Sequence, residues 1–200
     1  MANATRSRAS DKATDAITLL KQDHRMVEAL FGEFEEAEDD RLTPIAERVC
    51  QLLTVHAQIE EEILYPSAKE AFDDEEDELV NEATVEHASA KELIAQIEAM
   101  TADEELFKAT VKVLGEYVKH HVKEEEGELF PKLKKTDLDL RDLGEQMQSR
   151  KLELMEAMGI DEEDGDDAEA DSKSRKRSRS AAGASRRASR SRSGGRPSRA

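Results

Sequence analysis

The chain has 200 residues, 38% of them charged, with no tryptophan and a formal net charge of −17. No apolar run approaches the roughly 18–20 residues needed to cross a bilayer. The opening MANATRSRASDKATDA has no apolar segment of the secretory kind, and the single cysteine, Cys50, has no partner for an internal disulfide. Together these argue against a membrane span or a disulfide scaffold, and the expected location is the cytoplasm.

Residues 1–13 are small and polar and are predicted to be disordered. A four-helix bundle is predicted over residues 14–135, where glycine is rare and the prolines are Pro44, Pro66 and Pro131. Helix one is predicted from about Asp15 to Ala37, with Ile17, Leu20, His24, Val27, Phe31 and Phe34 at alternating spacings of three and four, which line one helix face. Helix two is predicted to start at Thr43–Pro44, with threonine as N-cap and proline at the first helical position, where it loses no hydrogen bond. Its stripe is Ile45, Val49, Leu52, His56, Ile59 and Ile63, and it ends near Pro66. Helix three runs from about Glu76 to Met100, with Val80, Ala83, His87, Ala90, Ile94 and Ile97 on one side. TADE at Thr101–Glu104 reads as a capping box. Helix four carries Leu106, Thr110, Leu114, Tyr117 and His121 and ends near Pro131. Short connections between amphipathic helices predict an all-α, up-down-up-down arrangement. A further amphipathic helix is expected over residues 136–159, packed outside the bundle, followed by an acidic linker over 160–171 and a basic Ser/Arg-rich tail over 172–200. Both charge blocks lack the apolar surface that offsets ordering entropy and are predicted disordered.

The charge is segregated. Residues 172–200 hold 11 Lys or Arg and no acid, leaving 47 acidic against 19 basic residues, a net of −28, in residues 1–171. The tail could bind nucleic acid or another polyanion electrostatically. It has no aromatics for stacking on bases, and the simpler reading is a tail that solubilises the chain or folds back on the acidic body.

All five histidines lie within the four predicted helices, and His24, His56, His87 and His121 fall one on each apolar stripe. A single histidine on such a stripe is ordinarily a satisfied core residue, but four together are costly to bury without partners. Glu60 follows His56 by four residues, and Glu125 follows His121 by four, so each pair shares a helix face. Imidazole nitrogen with carboxylate oxygen suits iron, manganese or zinc rather than copper(I). The spacing repeats: 32 residues separate His24 from His56 and 34 separate His87 from His121. Each hairpin would then bring two histidines and one glutamate to the middle of the bundle, and two such halves build a dinuclear site bridged by Glu60 and Glu125.

The segments DHR, HAQIEEEILYP, EH and HHVKEEEGELFP, in that order, resemble the hemerythrin-like (HHE cation-binding) family over about Ala16 to Leu133. The resemblance implies an up-down bundle with two non-haem, carboxylate-bridged iron ions that bind, sense or react with O₂, NO or peroxide, or sense or hold iron. It matches His24, His56, Glu60, His87, His121 and Glu125 to the family's metal ligands. Two positions depart from the oxygen carriers. Lys91 stands where they have a second helix-three histidine, leaving a position for water, for Glu86 or for nothing. They also place an aspartate five residues after the helix-four histidine, whereas this chain has glutamates at four and five. If His120 were the ligand, Glu125 would sit five residues on; alignment through the prolines selects His121. The departures weaken the case for reversible O₂ carriage.

Glu61, Glu62, Glu124 and Glu126 are expected to be solvated, and Tyr65 and Phe130 to cap the core. Tyr117 is expected to pack in the core, its alternative being a hydrogen bond near the metal. Ferritin-type Glu-x-x-His, zinc-protease His-Glu-x-x-His and phosphate-loop motifs are absent. Two other readings stand beside metal binding: a peroxide-decomposing or other oxidative di-iron enzyme, and a metal-free acidic interaction protein with a polyanion-binding tail.

Overall fold

The structure, a computed structural model, describes residues 14–160; the N-terminal segment 1–13, the acidic run from residue 161 and the Ser/Arg tail lie outside it. Its helices are α1 (Ala16–Glu36), α2 (Asp39–Ile59), α3 (Tyr65–Ala71), α4 (Asp74–Glu98), α5 (Phe107–Glu124), α6 (Phe130–Leu133) and α7 (Leu140–Met158). Two five-residue π-helical turns, Glu60–Leu64 and Glu125–Leu129, join α2 to α3 and α5 to α6 without a break. These segments form the up-down-up-down bundle, in which α1 packs on α2 and α5, and α4 on α2 and α5. α7 lies outside against α1 and α2. Among the described residues no helix is long and apolar enough to cross a membrane.

Aspartates open three helices by accepting orphan backbone N–H groups. Asp15 accepts from Thr18 at 3.1 Å, Asp73 from Glu75 and Glu76 at 3.1 Å, and Asp139 from Arg141 and Asp142 at 3.1 Å. Helix two departs from expectation: it starts at Asp39, and Thr43–Pro44 lies inside it. One backbone bond is lost at Pro44, and Asp39 and Asp40 in the first turn favour the positive end of the helix dipole. The Thr101–Glu104 pairing forms, with Thr101 N donating to Glu104 Oε1 at 2.9 Å, but it closes a turn; α5 begins only at Phe107. Its buried face is therefore Phe107, Val111, Leu114 and His121, while Leu106 and Tyr117 face outward.

The π-turns also shift the apolar register. Each precedes a proline, Pro66 or Pro131, which has no N–H to donate and crowds the carbonyl four residues back. A wider turn relieves that crowding, and the ladder closes instead from Tyr65 N to Glu60 O and from Phe130 N to Glu125 O. Where the turns end, Leu64, Tyr65, Leu129 and Phe130 are buried, with Ile63 only half-buried.

The core is two apolar clusters with a polar layer between them. Ile17, Leu20, Ile59, Leu64, Phe130 and Leu133 belong to one, together with Leu143 and Met147 of α7. Val27, Phe34, Val49, Leu53, Ile94, Phe107 and Leu114 belong to the other. Along every bundle helix the histidine falls at the change from one cluster to the next.

Ile160 closes the folded part. Read as the start of the acidic linker, it is in fact buried and packs with Val55 and Met155. Gly144 sets how closely α7 approaches α1: a Cβ there would meet Thr14 O at 2.2 Å and Ala16 N at 2.7 Å. Backbone cannot yield as a side-chain tip can, so Gly144→Ala is expected to destabilise the fold by about 1–3 kcal/mol in denaturant unfolding.

Candidate metal centre

The polar layer consists of Asp23, His24, His56, Glu60, His87, His121 and Glu125, all buried, with Glu60 fully so and Glu125 nearly so. Every histidine singled out in the sequence is there. His120, one residue from His121, is rotated out and is 59% exposed.

Each buried ring presents Nδ1 to a carboxylate from a neighbouring helix. His24 Nδ1 lies 3.0 Å from Glu126 Oε1, and His87 Nδ1 lies 3.0 Å from Glu61 Oε1. His121 Nδ1 lies 2.7 Å from Glu86 Oε2, and His56 Nδ1 lies 3.6 Å from Asp23 Oδ2. The contacts run in a closed circuit: α1 holds α2, the turn after α2 holds α4, α4 holds α5, and the turn after α5 holds α1. An ionised carboxylate only accepts, so in the three contacts within hydrogen-bond distance the imidazole Nδ1–H donates, while His56 Nδ1 faces Asp23 at 3.6 Å without a hydrogen bond. In those three rings, when neutral, Nε2 is then a lone pair, and the Nε2 atoms of all four rings point inward.

What meets them is more lone pairs. Glu60 Oε2 lies 3.2 Å from His56 Nε2 and 3.4 Å from His87 Nε2. Glu125 Oε2 lies 3.3 Å from His24 Nε2 and 3.6 Å from His121 Nε2. Each glutamate thus touches one histidine of its own hairpin and one of the other, so neither hairpin completes a half-site alone. His87 Nε2 and His121 Nε2 face each other at 3.1 Å. His24 Nε2, His56 Nε2, both Glu60 oxygens and Glu125 Oε2 are buried without a hydrogen-bond partner. Donor atoms of His24, His56, Glu60 and Glu125 lie within 4.8 Å of one another, as do those of Glu60, His87 and His121, so each group could hold a cation.

The electrostatics carry the mark of this crowding. Burial and then the adjacent Glu125 carboxylate push Glu60 well above the usual range. Burial opposes the Glu125 charge too, but His121 and His24 outweigh it and hold Glu125 low. Two close buried carboxylates cannot both ionise cheaply without a cation. Burial, and then the His121 ring, lower His87 to about 4. His121 is raised, because Glu125 and Glu86 outweigh its burial.

Three acids and one phenol in this arrangement were not expected from the sequence as participants, and Glu86, weighed as a possible metal ligand, is found holding the His121 ring. Glu61 and Glu126, expected to be solvated, each bind a histidine; Asp23 and Glu86 do the same. A local signal exists: each is the chain neighbour of an inward-facing residue, in Asp23–His24, Glu60–Glu61, Glu86–His87 and Glu125–Glu126. Tyr65 and Phe130, equivalent in the repeat, stack on His87 and His24 with ring centroids 5.4 and 5.9 Å apart. The Tyr65 hydroxyl sits 3.2 Å from His87 Nε2 and 3.3 Å from Glu125 Oε1, and burial beside Glu60 raises it so that it keeps its proton. Glu62 and Glu124 stay near the surface, and Lys91 binds Glu61 at 2.6 Å. Cys50 is buried and pushed up to about 12 by burial, which leaves it an inert thiol.

A cavity of about 40 Å³ adjoins the layer. Besides the site residues it is lined by Val27, Leu53, Ala57, Ala90, Ile94 and Val118, with Lys91 and Tyr117 also on its wall.

Comparison with known proteins agrees with this geometry. The hemerythrin HHE cation binding domain matches residues 15–133. A DNA nickase of Nostoc sp. (strain PCC 7120 / SAG 25.82 / UTEX 2576) is 31% identical over 113 residues, which are 56% of this chain and 31% of that protein. The chain therefore spans about a third of the length of this relative. A crystal structure of a hemerythrin HHE cation binding domain-containing protein, the Rv2633c homolog from Mycobacterium kansasii, has the same fold. It aligns at 22% identity with a TM-score of 0.61, over 72% of this chain and 89% of that one. With more than half of its length matched, across the segment that builds the histidine layer, the chain belongs to the hemerythrin HHE cation-binding family.

Proposed function

We propose that the buried layer holds two non-haem iron ions and that the cavity beside it admits O₂, NO or peroxide. The observation that carries this reading is the set of inward atoms on His24, His56, Glu60 and Glu125 buried without a hydrogen-bond partner. A cation supplies what they lack. In this reading His24, His56, Glu60 and Glu125 would hold one ion and Glu60, His87 and His121 the other, with Glu125 also beside His121. Glu125 needs no further deprotonation, whereas Glu60 gives up a proton as metal binds. Manganese or zinc would suit the same donors; membership of the hemerythrin family favours iron. Bound iron would supply an open coordination position and electrons.

The chain's own groups would set the surroundings. Val27, Leu53, Ala57, Ala90, Ile94 and Val118 make part of the cavity wall apolar, and its volume of about 40 Å³ compares with roughly 10–15 Å³ for one water molecule. That room suits a ligand of two or three atoms. Tyr65 holds its proton at the edge of the layer, positioned to donate to Glu125 or His87.

Metal analysis and an optical spectrum of protein purified without added metal test the proposal. Two irons per chain with near-ultraviolet charge-transfer absorption support it. Absence of iron, together with unchanged stability in His56→Ala and His121→Ala, would sink it. Steady turnover of added peroxide would favour the enzymatic form of the same reading.

Lys151 of α7, outside the family match, binds Asp23, the acid that holds His56. Lys151→Met leaves a buried carboxylate uncompensated, and metal affinity is expected to fall about 10–100-fold. Competition against a chelator of known affinity measures this, with Lys151→Arg restoring part of the loss.

A second reading concerns nucleic acid. The nickase resemblance and the 11 basic residues of segment 172–200 support polyanion binding through that segment. Cleavage at the buried layer is not what the geometry supports, since a phosphodiester does not fit so small a cavity. Salt-dependent DNA binding that disappears when residues 172–200 are removed would support this second reading. Equal binding with and without the segment would refute it.

A further inference from the structure

Three of the four acids that hold the histidines end on a fixed positive charge. Glu126 binds Lys21 at 2.9 Å and Arg25 at 2.8 Å, Asp23 binds Lys151, and Glu61 binds Lys91 at 2.6 Å. Glu86 breaks the pattern. Among the described residues its ion-pair partners are His121 and, at 3.7 Å through its other oxygen, His120. His120 Nε2 is also 3.1 Å from Glu124, which likewise has no Lys or Arg partner among them. Where the other three acids meet a resident cation, this one meets an imidazole and a second carboxylate.

The donor atoms of Glu86, His120 and Glu124 lie within 4.8 Å of one another. His120 and Glu124 repeat the four-residue spacing of His121 and Glu125, displaced by one position. One residue turns an α-helix by about 100°, so the first pair faces outward and the second inward. Glu86 lies between them, with Oε2 on the buried ring and Oε1 toward the exposed one.

We propose that Glu86, His120 and Glu124 form an outer site for a divalent first-row cation, which is handed from there to the buried layer. One imidazole and two carboxylates suit Fe(II), Mn(II) or Zn(II). Local negative charge with no Lys or Arg partner among the described residues attracts such an ion from solvent, and the exposed face leaves water to fill its other positions. Glu86 serves both sites, so a small rotation of one carboxylate connects them. The hand-over rests on the reading of the buried layer as a metal centre; the outer site does not.

His120→Ala/Glu124→Gln tests both parts, and circular dichroism melting equal to the parent confirms that these surface positions leave the fold intact. Iron-loaded parent protein titrated with Mn(II) and followed by electron paramagnetic resonance is expected to bind one more Mn(II) per chain than the variant. Equal uptake overturns the outer site. Metal-free protein mixed with Fe(II) is expected to load several-fold more slowly in the variant, to the same final iron content. Equal rates overturn the hand-over. A parent that takes up no iron overturns the buried centre and the hand-over together, while the manganese difference still decides the outer site.

Discussion

Stripping metal from the loaded protein is expected to lower its unfolding free energy by about 4 kcal/mol, the stabilisation given by free metal at roughly a thousand times its dissociation constant. The physical origin is the lone-pair layer. Without a cation His87 Nε2 and His121 Nε2 stand 3.1 Å apart, and with both rings neutral and both Nδ1–H groups donated there is no proton between them. Glu60 and Glu125 are buried side by side in the same state. A cation turns these contacts from repulsive to attractive. Melting curves with and without a chelator check this, and superimposable curves would count against a metal centre.

Glu60→Leu is expected to act with opposite signs on the two forms. In the metal-free protein it removes two buried oxygens with no hydrogen-bond partner, a desolvation cost of about 1–3 kcal/mol, and so it stabilises. In the metal-bound protein it removes a shared ligand, and iron content falls. The pH dependence follows the same logic. Glu60 is raised in the folded state, so the folded chain holds its proton more tightly than the unfolded chain. That contribution is full below the ordinary glutamate pKa of about 4.3 and is lost as pH rises toward the folded value. Glu60→Leu removes this loss. Denaturant unfolding of metal-free protein at several pH values, with iron analysis, gives both readings. Destabilisation of the metal-free form, or full retention of iron, would refute the account.

The bundle and the inward histidines were legible because 3.6-residue periodicity places His24, His56, His87 and His121 on the same stripes as the core. The π-turns were not, because a stripe drawn at constant period runs through Glu60 to Ile63, whereas the wider turn delivers Leu64 and Tyr65 to the core. For the same reason the phenol of Tyr65 went unrecognised beside Glu125. The acids that orient the rings were hidden differently. Asp23 serves His56, and Glu126 serves His24 from 102 residues away, so spacing within one helix cannot reveal them. Their position beside inward residues is visible in the sequence, but a run such as Glu124–Glu125–Glu126 looks like solvated charge until the neighbouring helices are placed. Pro44 misled for a simpler reason: threonine before proline reads as a helix start, but an acidic N-terminus had already begun at Asp39 and the helix runs on through Pro44 with one backbone bond lost.

The circuit of acids around the histidines bears on how slowly a bound ion would leave. Each bundle strut carries one ring and grips the ring of its neighbour, so the loop of four grips has no free end. Displacing any one strut releases two rings together, its own and the one it grips, and also parts a glutamate from a histidine of the opposite hairpin. Partial fraying therefore gives no half-open state with one ligand gone and the rest intact. Fraying of a strut is thereby a rare, concerted route of escape, and the exchange of an ion would run instead through the one carboxylate at the rim of the circuit, Glu86, whose second oxygen faces outward.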